Sequence, residues 1–301
     1  MVSLEIDGIG EAGVGYEPKR CTRDYSALLC LLLMATGAAA EPARSPPRPP
    51  PRNAEADAAT YDRCLKLAKQ NPGAAQSLAQ EWHERGGAHP ADHCTAVALV
   101  GLKQYKEAAT RLEALAQEMT TAPASLRAEV LDQAGQAWLL AGDPVRAYAA
   151  SGQAVSLRPN DPDLLIDRAE AAASAGYFDK AIADLDHVLK SEPERVDALI
   201  YRASANRTLL RLDPALADVE KALAQAPNSV PALLERGNIR RLKGDSEGAR
   251  RDWQHIGRLA PGSKADMAAR ANLEHLETGQ DIPAAAKPRR GRSEISNGHG
   301  P

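Results

Sequence analysis

Cys64, His89, His93 and Cys94 are the side chains whose types and spacing point most directly to chemistry. Thiolates and imidazoles are zinc ligands, and a cysteine pair is equally a disulfide or a redox couple. The spacing fits no standard zinc pattern. His89 and His93 are four apart, but Pro90 stands between them and puts His89 ahead of the helix. The competing reading is a Cys64–Cys94 disulfide with two surface histidines beside it. Gly8, Gly10 and Gly13 spell GxGxxG after a strand-like VSLEI. A dinucleotide site needs a βαβ unit around that motif. Pro18, a basic cluster and an apolar run follow instead, so these residues read as leader. No nucleophilic triad, paired carboxylate, phosphate loop or CxxC accompanies them, so the chain is expected to be no enzyme and to need no cofactor or metal.

A second set is ionic. Arg168, Arg202 and Arg236 are 34 residues apart, and Asp184, Asp218 and Asp252 each follow sixteen residues later. Where Ala134 replaces the arginine, Ala150 replaces the aspartate. Sites that change together predict the ion pairs Arg168–Asp184, Arg202–Asp218 and Arg236–Asp252. Pairing across repeats, such as Asp184 with Arg202, is the variant, and independent surface charges are the alternative.

The elements that must position these side chains repeat with the same step. Leu131, Leu165, Leu199 and Leu233 are 34 apart. So are Gly135, Ala169, Ala203 and Gly237, then Ala147, Ala181, Ala215 and Ala249, then Pro159, Pro193, Pro227 and Pro261. A period of this length is that of a stacked helix–turn–helix unit. Small residues let the two helices of a unit approach closely, and Gly142, Gly176 and Gly244 mark the turns between them. Proline ends the second helix.

The stretch AEVLDQAGQAWLLAGDPVRAYAASGQAVSLRPND resembles the tetratricopeptide repeat. The resemblance covers about 128–263 strongly and 57–127 weakly. It implies an all-α, right-handed α-solenoid. Departures are visible. Ala172, Asn206 and Arg240 stand where the family has an aromatic and only Trp138 keeps one, Leu210 replaces a turn glycine, and Arg168, Arg202 and Arg236 replace a helix-A leucine. The resemblance lines the concave surface with the first helix of each repeat. The groove residues are then Glu129, Asp132, Gln133, Gln136, Asp163, Asp167 and Glu170, followed by Tyr201, Ser204 and Arg207, then Glu235, Asn238 and Arg241. Its first half is acidic and suits a basic or amphipathic peptide. The Lys/Asn/Arg clamp that some members use for a terminal carboxylate is not assembled.

Residues 57–127 read as divergent units and 128–263 as four regular repeats. Residues 264–277 read as a capping helix with Met267, Ala268, Ala271, Leu273 and Leu276 apolar, and 278–301 as a disordered tail. That tail carries a small basic cluster, Lys287, Arg289, Arg290 and Arg292. Ahead of the repeats, Lys19, Arg20 and Arg23 precede an apolar run ending in Gly37-Ala38-Ala39-Ala40, a signal-peptide pattern with cleavage after Ala40. The run is short of the ~20 residues of a membrane helix. An uncleaved interfacial helix is the alternative. Residues 41–56 form a Pro/Arg-rich linker. Cleavage leaves Cys64 and Cys94 alone, and an even number of cysteines in an exported chain favours a disulfide.

The net charge of −3 and an aromatic content of 4% give no case for nucleic acid. The reading is a periplasmic or secreted interaction scaffold with a protein or peptide partner and no stable membrane insertion. A redox or metal protein built on Cys64, Cys94, His89 and His93 is the alternative. A tether whose ends do the binding is a third.

Overall fold

The structure, a computed structural model, describes residues 54–278. The leader, most of the 41–56 linker, the GxGxxG glycines and the basic cluster near the C-terminus lie outside the described residues. Every regular element described is helical. By internal contacts the chain forms two compact units, one ending at Pro227 and one beginning at Asn228.

The first unit comprises α1 (Ala54–Gln70), α2 (Pro72–Trp82), α3 (Ala88–Gly101), α4 (Tyr105–Glu118), α5 (Ala124–Leu140), α6 (Pro144–Leu157), α7 (Pro162–Ser174), α8 (Phe178–Ser191), α9 (Val196–Thr208) and α10 (Leu212–Gln225). Consecutive helices pack as antiparallel pairs. The odd-numbered helices also touch one another across repeats: α1 with α3, α5 with α7 and α7 with α9. They form the inner layer of a right-handed α-solenoid, and the even-numbered helices form the outer layer.

The period explains the packing. Leu131, Leu165 and Leu199 are buried, as are Ala147, Ala181 and Ala215 at the facing positions. A Cβ on Gly135 would overlap Ser151, so glycine there sets how closely α5 and α6 approach. The turns at Gly142 and Gly176 have φ of 73° and 78°. Lys103 and Leu210 occupy the equivalent turns at φ of 60° and 57° without being glycine. Helix starts are capped locally. Asn71, Asp143 and Asp161 accept from backbone N–H groups one turn on, each with proline at the first helical position. After α1 ends at Gln70 the chain therefore restarts at once as α2, with Asn71 as the cap. Between α2 and α3 the chain makes a π-helical turn, His83–Gly87, with Gly86 at φ 93°.

The second unit comprises α11 (Val230–Leu242), α12 (Ser246–Leu259) and α13 (Lys264–Thr278). Leu233, Ile239, Ala249 and Ile256 are buried, and Gly237 lies so close to Trp253 that a Cβ would overlap the indole. Helix α13 packs on α12 and touches α11. Its buried residues are Asp266 and Ala269. Met267, expected in the apolar face, is 57% exposed and Ala271 is exposed. The face of α13 towards its neighbours is turned away from these two residues. Asp266 is held by Gly262 N–H at 2.8 Å and Arg270 Nε at 3.0 Å.

Candidate functional site

The inner layer carries a polar column at one position of each odd-numbered helix. Gln133, Asp167 and Tyr201 follow one another at 34-residue steps. His93 and Tyr61 extend the column towards the N-terminus, and the first links are hydrogen bonds. His93 Nε2 donates to Gln133 Oε1 at 2.8 Å, and Tyr61 Oη lies 2.8 Å from His93 Nδ1. Because the Gln133 carbonyl accepts, Nε2 carries the proton and Nδ1 accepts from Tyr61. His93 is fully buried, a correction to the expected surface histidine. Burial pushes its pKa down to about 4, with the Gln133 hydrogen bond acting in the opposite direction.

Further along the layer, Asp132 and Asp167 are each 8% exposed, recessed between helices. Gln136 Nε2 donates to Asp132 Oδ2 at 3.0 Å. Glu170, Tyr201, Ser204 and Arg207 are half-buried. Two arginines that the sequence reading passed over sit beside the acidic end. Arg195 binds Asp163 at 2.7 Å, Asp197 at 2.7 Å and Glu192 at 3.0 Å. The hydrogen bond from Arg195 to Asp197 is the largest cause holding its pKa well above the usual arginine range. Arg158 binds Asp161 and lies 3.9 Å from Glu129. The acidic end thus carries part of its own counter-charge. In the second unit, Asn238 Oδ1 accepts from Asn272 Nδ2 at 3.0 Å, and Glu235 is buried while Arg241 is half-buried.

The three arginine–aspartate pairs are bidentate. Arg168 reaches Asp184 at 2.7 and 2.5 Å, Arg202 reaches Asp218 at 2.8 and 2.7 Å, and Arg236 reaches Asp252 at 3.0 and 2.7 Å. Each aspartate is buried and each arginine half-buried. Arg202 also binds Asp186 on α8 at 2.6 Å, and Arg240 joins Asp252 at 2.8 Å. The cross-repeat contact of Arg202 in the first unit therefore uses Asp186 rather than Asp184.

Cys64 on α1 and Cys94 on α3 form a disulfide with Cα atoms 6.2 Å apart, both fully buried. Neither sulfur is then a thiolate, and both ring nitrogens of His93 are engaged. The Cys64/Cys94/His89/His93 metal centre is not assembled, because the two sulfurs are bonded to each other and both ring nitrogens of His93 are engaged. His89 alone of that set is left outside this arrangement, half-buried.

No protein-family profile matches the sequence, and no curated protein matches it. Solved structures do. One is a tetratricopeptide repeat protein from Parabacteroides merdae, 20% identical, covering 76% of this chain and 77% of that one with a TM-score of 0.51. Another is TTC0263, a thermophilic TPR protein from Thermus thermophilus, 19% identical, covering 64% of this chain and all of that one with a TM-score of 0.50. The chain has the tetratricopeptide repeat fold. In tetratricopeptide repeat terms, the odd-numbered helices of the first unit are the A helices and the even-numbered ones the B helices. The polar column is an A-helix feature, and the bidentate pairs join A to B within a repeat.

Proposed function

We propose that the chain is a non-enzymatic protein–protein interaction scaffold of a bacterial cell envelope, holding a peptide or protein segment along the A-helix face of its first unit. The observation that carries this reading is the polar column. Asp132 and Asp167 are recessed, and Glu170, Tyr201 and Arg207 are half-exposed beside them. Recessed carboxylates and a half-exposed aromatic ring in one helix layer suit an extended or helical segment carrying basic residues. Arg158 and Arg195 confine this preference, because they partly neutralise Glu129 and Asp163. Asp167 and Glu170 lie between these two, on α7.

The envelope location rests on the signal-peptide pattern and on the disulfide, which is at home in an oxidising compartment. Among the described residues no helix is long and apolar enough to cross a membrane. The test is affinity capture from a native periplasmic extract on the wild-type chain and on Asp167→Lys/Glu170→Lys. A partner retained by the first and lost by the second supports the reading. Equal retention on both overturns it. Loss only when residues 41–53 and 279–301 are deleted assigns binding to the ends of the chain instead.

A further inference from the structure

We propose that His89, Asp92 and Glu118 form a binding site for a first-row divalent transition ion, with Zn²⁺ the best match. Each offers a ligand atom, and the three atoms lie within 4.8 Å of one another. The elements bring them together for a simple reason. His89 and Asp92 are three apart in the first turn of α3, hence on one face. Glu118 is the last residue of α4, the antiparallel partner of α3, so the end of one helix meets the start of the other. The carbonyls at the C-terminus of α4 add partial negative charge on the same side, offsetting the partial positive charge at the N-terminus of α3.

Two features distinguish this group from an ordinary polar surface. Among the described residues, neither Asp92 nor Glu118 is paired with a lysine or arginine. Two carboxylates held this close without a cation repel one another, and a divalent ion removes that cost. The chain elsewhere gives its clustered carboxylates an arginine, as at Asp163, Asp197 and Glu192 around Arg195. The second feature is His83, whose Nδ1 lies 2.7 Å from Asp92 Oδ1. The carboxylate accepts, so His83 orients Asp92 and leaves its remaining lone pairs for an ion.

The connecting turn is sterically fixed. Gly86 and Ala88 have φ of 93° and 43°, and a Cβ on Gly87 would overlap Trp82 and Ala91. His83 and His89 are thus carried on a turn with little freedom. One imidazole nitrogen and two carboxylate oxygens form a set suited to zinc, with water or a partner's side chain completing four-coordination. Imidazole disfavours Ca²⁺ and Mg²⁺, which take oxygen sets. The ion would clamp the α3–α4 hairpin at the end opposite its Lys103 turn. His89 and Asp92 lie on the A helix α3, but the proposed function rests on Asp132, Asp167, Glu170, Tyr201 and Arg207 and on none of these three residues, so the two proposals are tested by different variants.

The experiment is a Zn²⁺ titration of the tag-free full chain against a chromophoric indicator at pH 7.5, with Ca²⁺ and Mg²⁺ as competitors. Wild type is expected to bind one equivalent that neither competitor displaces. Glu118→Gln and His89→Ala are each expected to weaken binding at least tenfold with unchanged helical circular dichroism. His83→Ala is expected to weaken it about tenfold, as an orienting residue does. His255→Ala, on the second unit, is expected to leave it unchanged. No saturable binding in wild type, or undiminished binding in both Glu118→Gln and His89→Ala, overturns the proposal.

Discussion

Arg202 grips Asp218 through both carboxylate oxygens, at 2.8 and 2.7 Å, while its remaining nitrogen reaches Asp186 at 2.6 Å. One guanidinium therefore ties α9 to α10 within its repeat and back to α8 in the repeat before. The Asp218 hydrogen bond is the largest cause raising the Arg202 pKa. Asp218 is only 7% exposed, so removing its partner strands a buried carboxylate. Arg202→Ala is expected to destabilise the first unit by about 3 kcal/mol. Arg202→Met with Asp218→Leu is expected to recover most of that loss, because no buried charge remains. Urea melts of the two variants check this. Equal destabilisation in both would mean that the arginine acts through packing rather than charge.

His93 sets a pH dependence. Its folded pKa of about 4 lies below the ordinary 6.5, so the unfolded chain binds the proton more tightly. Stability is then complete above about pH 6.5 and falls as the pH drops towards 4, by about 3 kcal/mol in all. The physical event is a charge forming between Tyr61 and Gln133 at a fully buried position. His93→Gln keeps polar partners for both neighbours and removes the titration. Denaturant melts between pH 7.5 and 4.5 are expected to show a steeper loss for wild type than for His93→Gln, and parallel curves would remove His93 as the cause.

What was legible in the sequence is what the 34-residue step fixes. The leucine, alanine and glycine columns follow from helix packing, and Arg168, Arg202 and Arg236 meet their aspartates because sixteen residues is the A-to-B spacing in every repeat. The Arg202–Asp186 and Arg195–Asp163 contacts were not legible, since they depend on how one repeat leans on the next, whereas Arg158 meets Asp161 locally. His93 shows a signal that was present but overlooked. Gln133, Asp167 and Tyr201 keep the step, but six extra residues before Gln133 and two missing before His93 hide that Tyr61 and His93 belong to the same column. Pro90 argued for His89 outside the helix, whereas the first turn of α3 accommodates it. Asp92 and Glu118 are far apart in sequence, so the group they form with His89 needed the α3–α4 hairpin to become visible.

The Cys64–Cys94 bond closes a sequence separation of 30 residues and joins α1 to α3. Loop-closure entropy gives it roughly 3–4 kcal/mol of stabilisation. It also secures α1, the first described helix, whose stronger pairings among the described residues are with α2 and α3. Cys64→Ala/Cys94→Ala is expected to lower the melting temperature and to expose α1 first. Hydrogen exchange measured on the variant should then show protection lost in 54–70 before 124–208. Uniform loss across the first unit would mean that the bond stabilises the whole array rather than its end.

Leu210 holds a turn in which three of its counterparts are glycines and one is Lys103. Its φ is 57°, and Gly142, Gly176 and Gly244 at the same position have φ of 73°, 78° and 86°. A side chain in this left-handed conformation costs roughly 1–2 kcal/mol because its Cβ approaches the following carbonyl. Leu210 is 47% exposed, so little packing offsets the cost. Leu210→Gly relieves the strain, while the added freedom of glycine in the unfolded chain returns part of the gain. The net expectation is a stabilisation of about 0.5–1 kcal/mol, from the difference of those two effects. Leu210→Ala keeps a Cβ and is expected to change stability far less. A higher urea midpoint for Leu210→Gly than for Leu210→Ala, with an unchanged slope, checks the argument. The reverse order would show that the leucine side chain packs usefully in the α9–α10 turn.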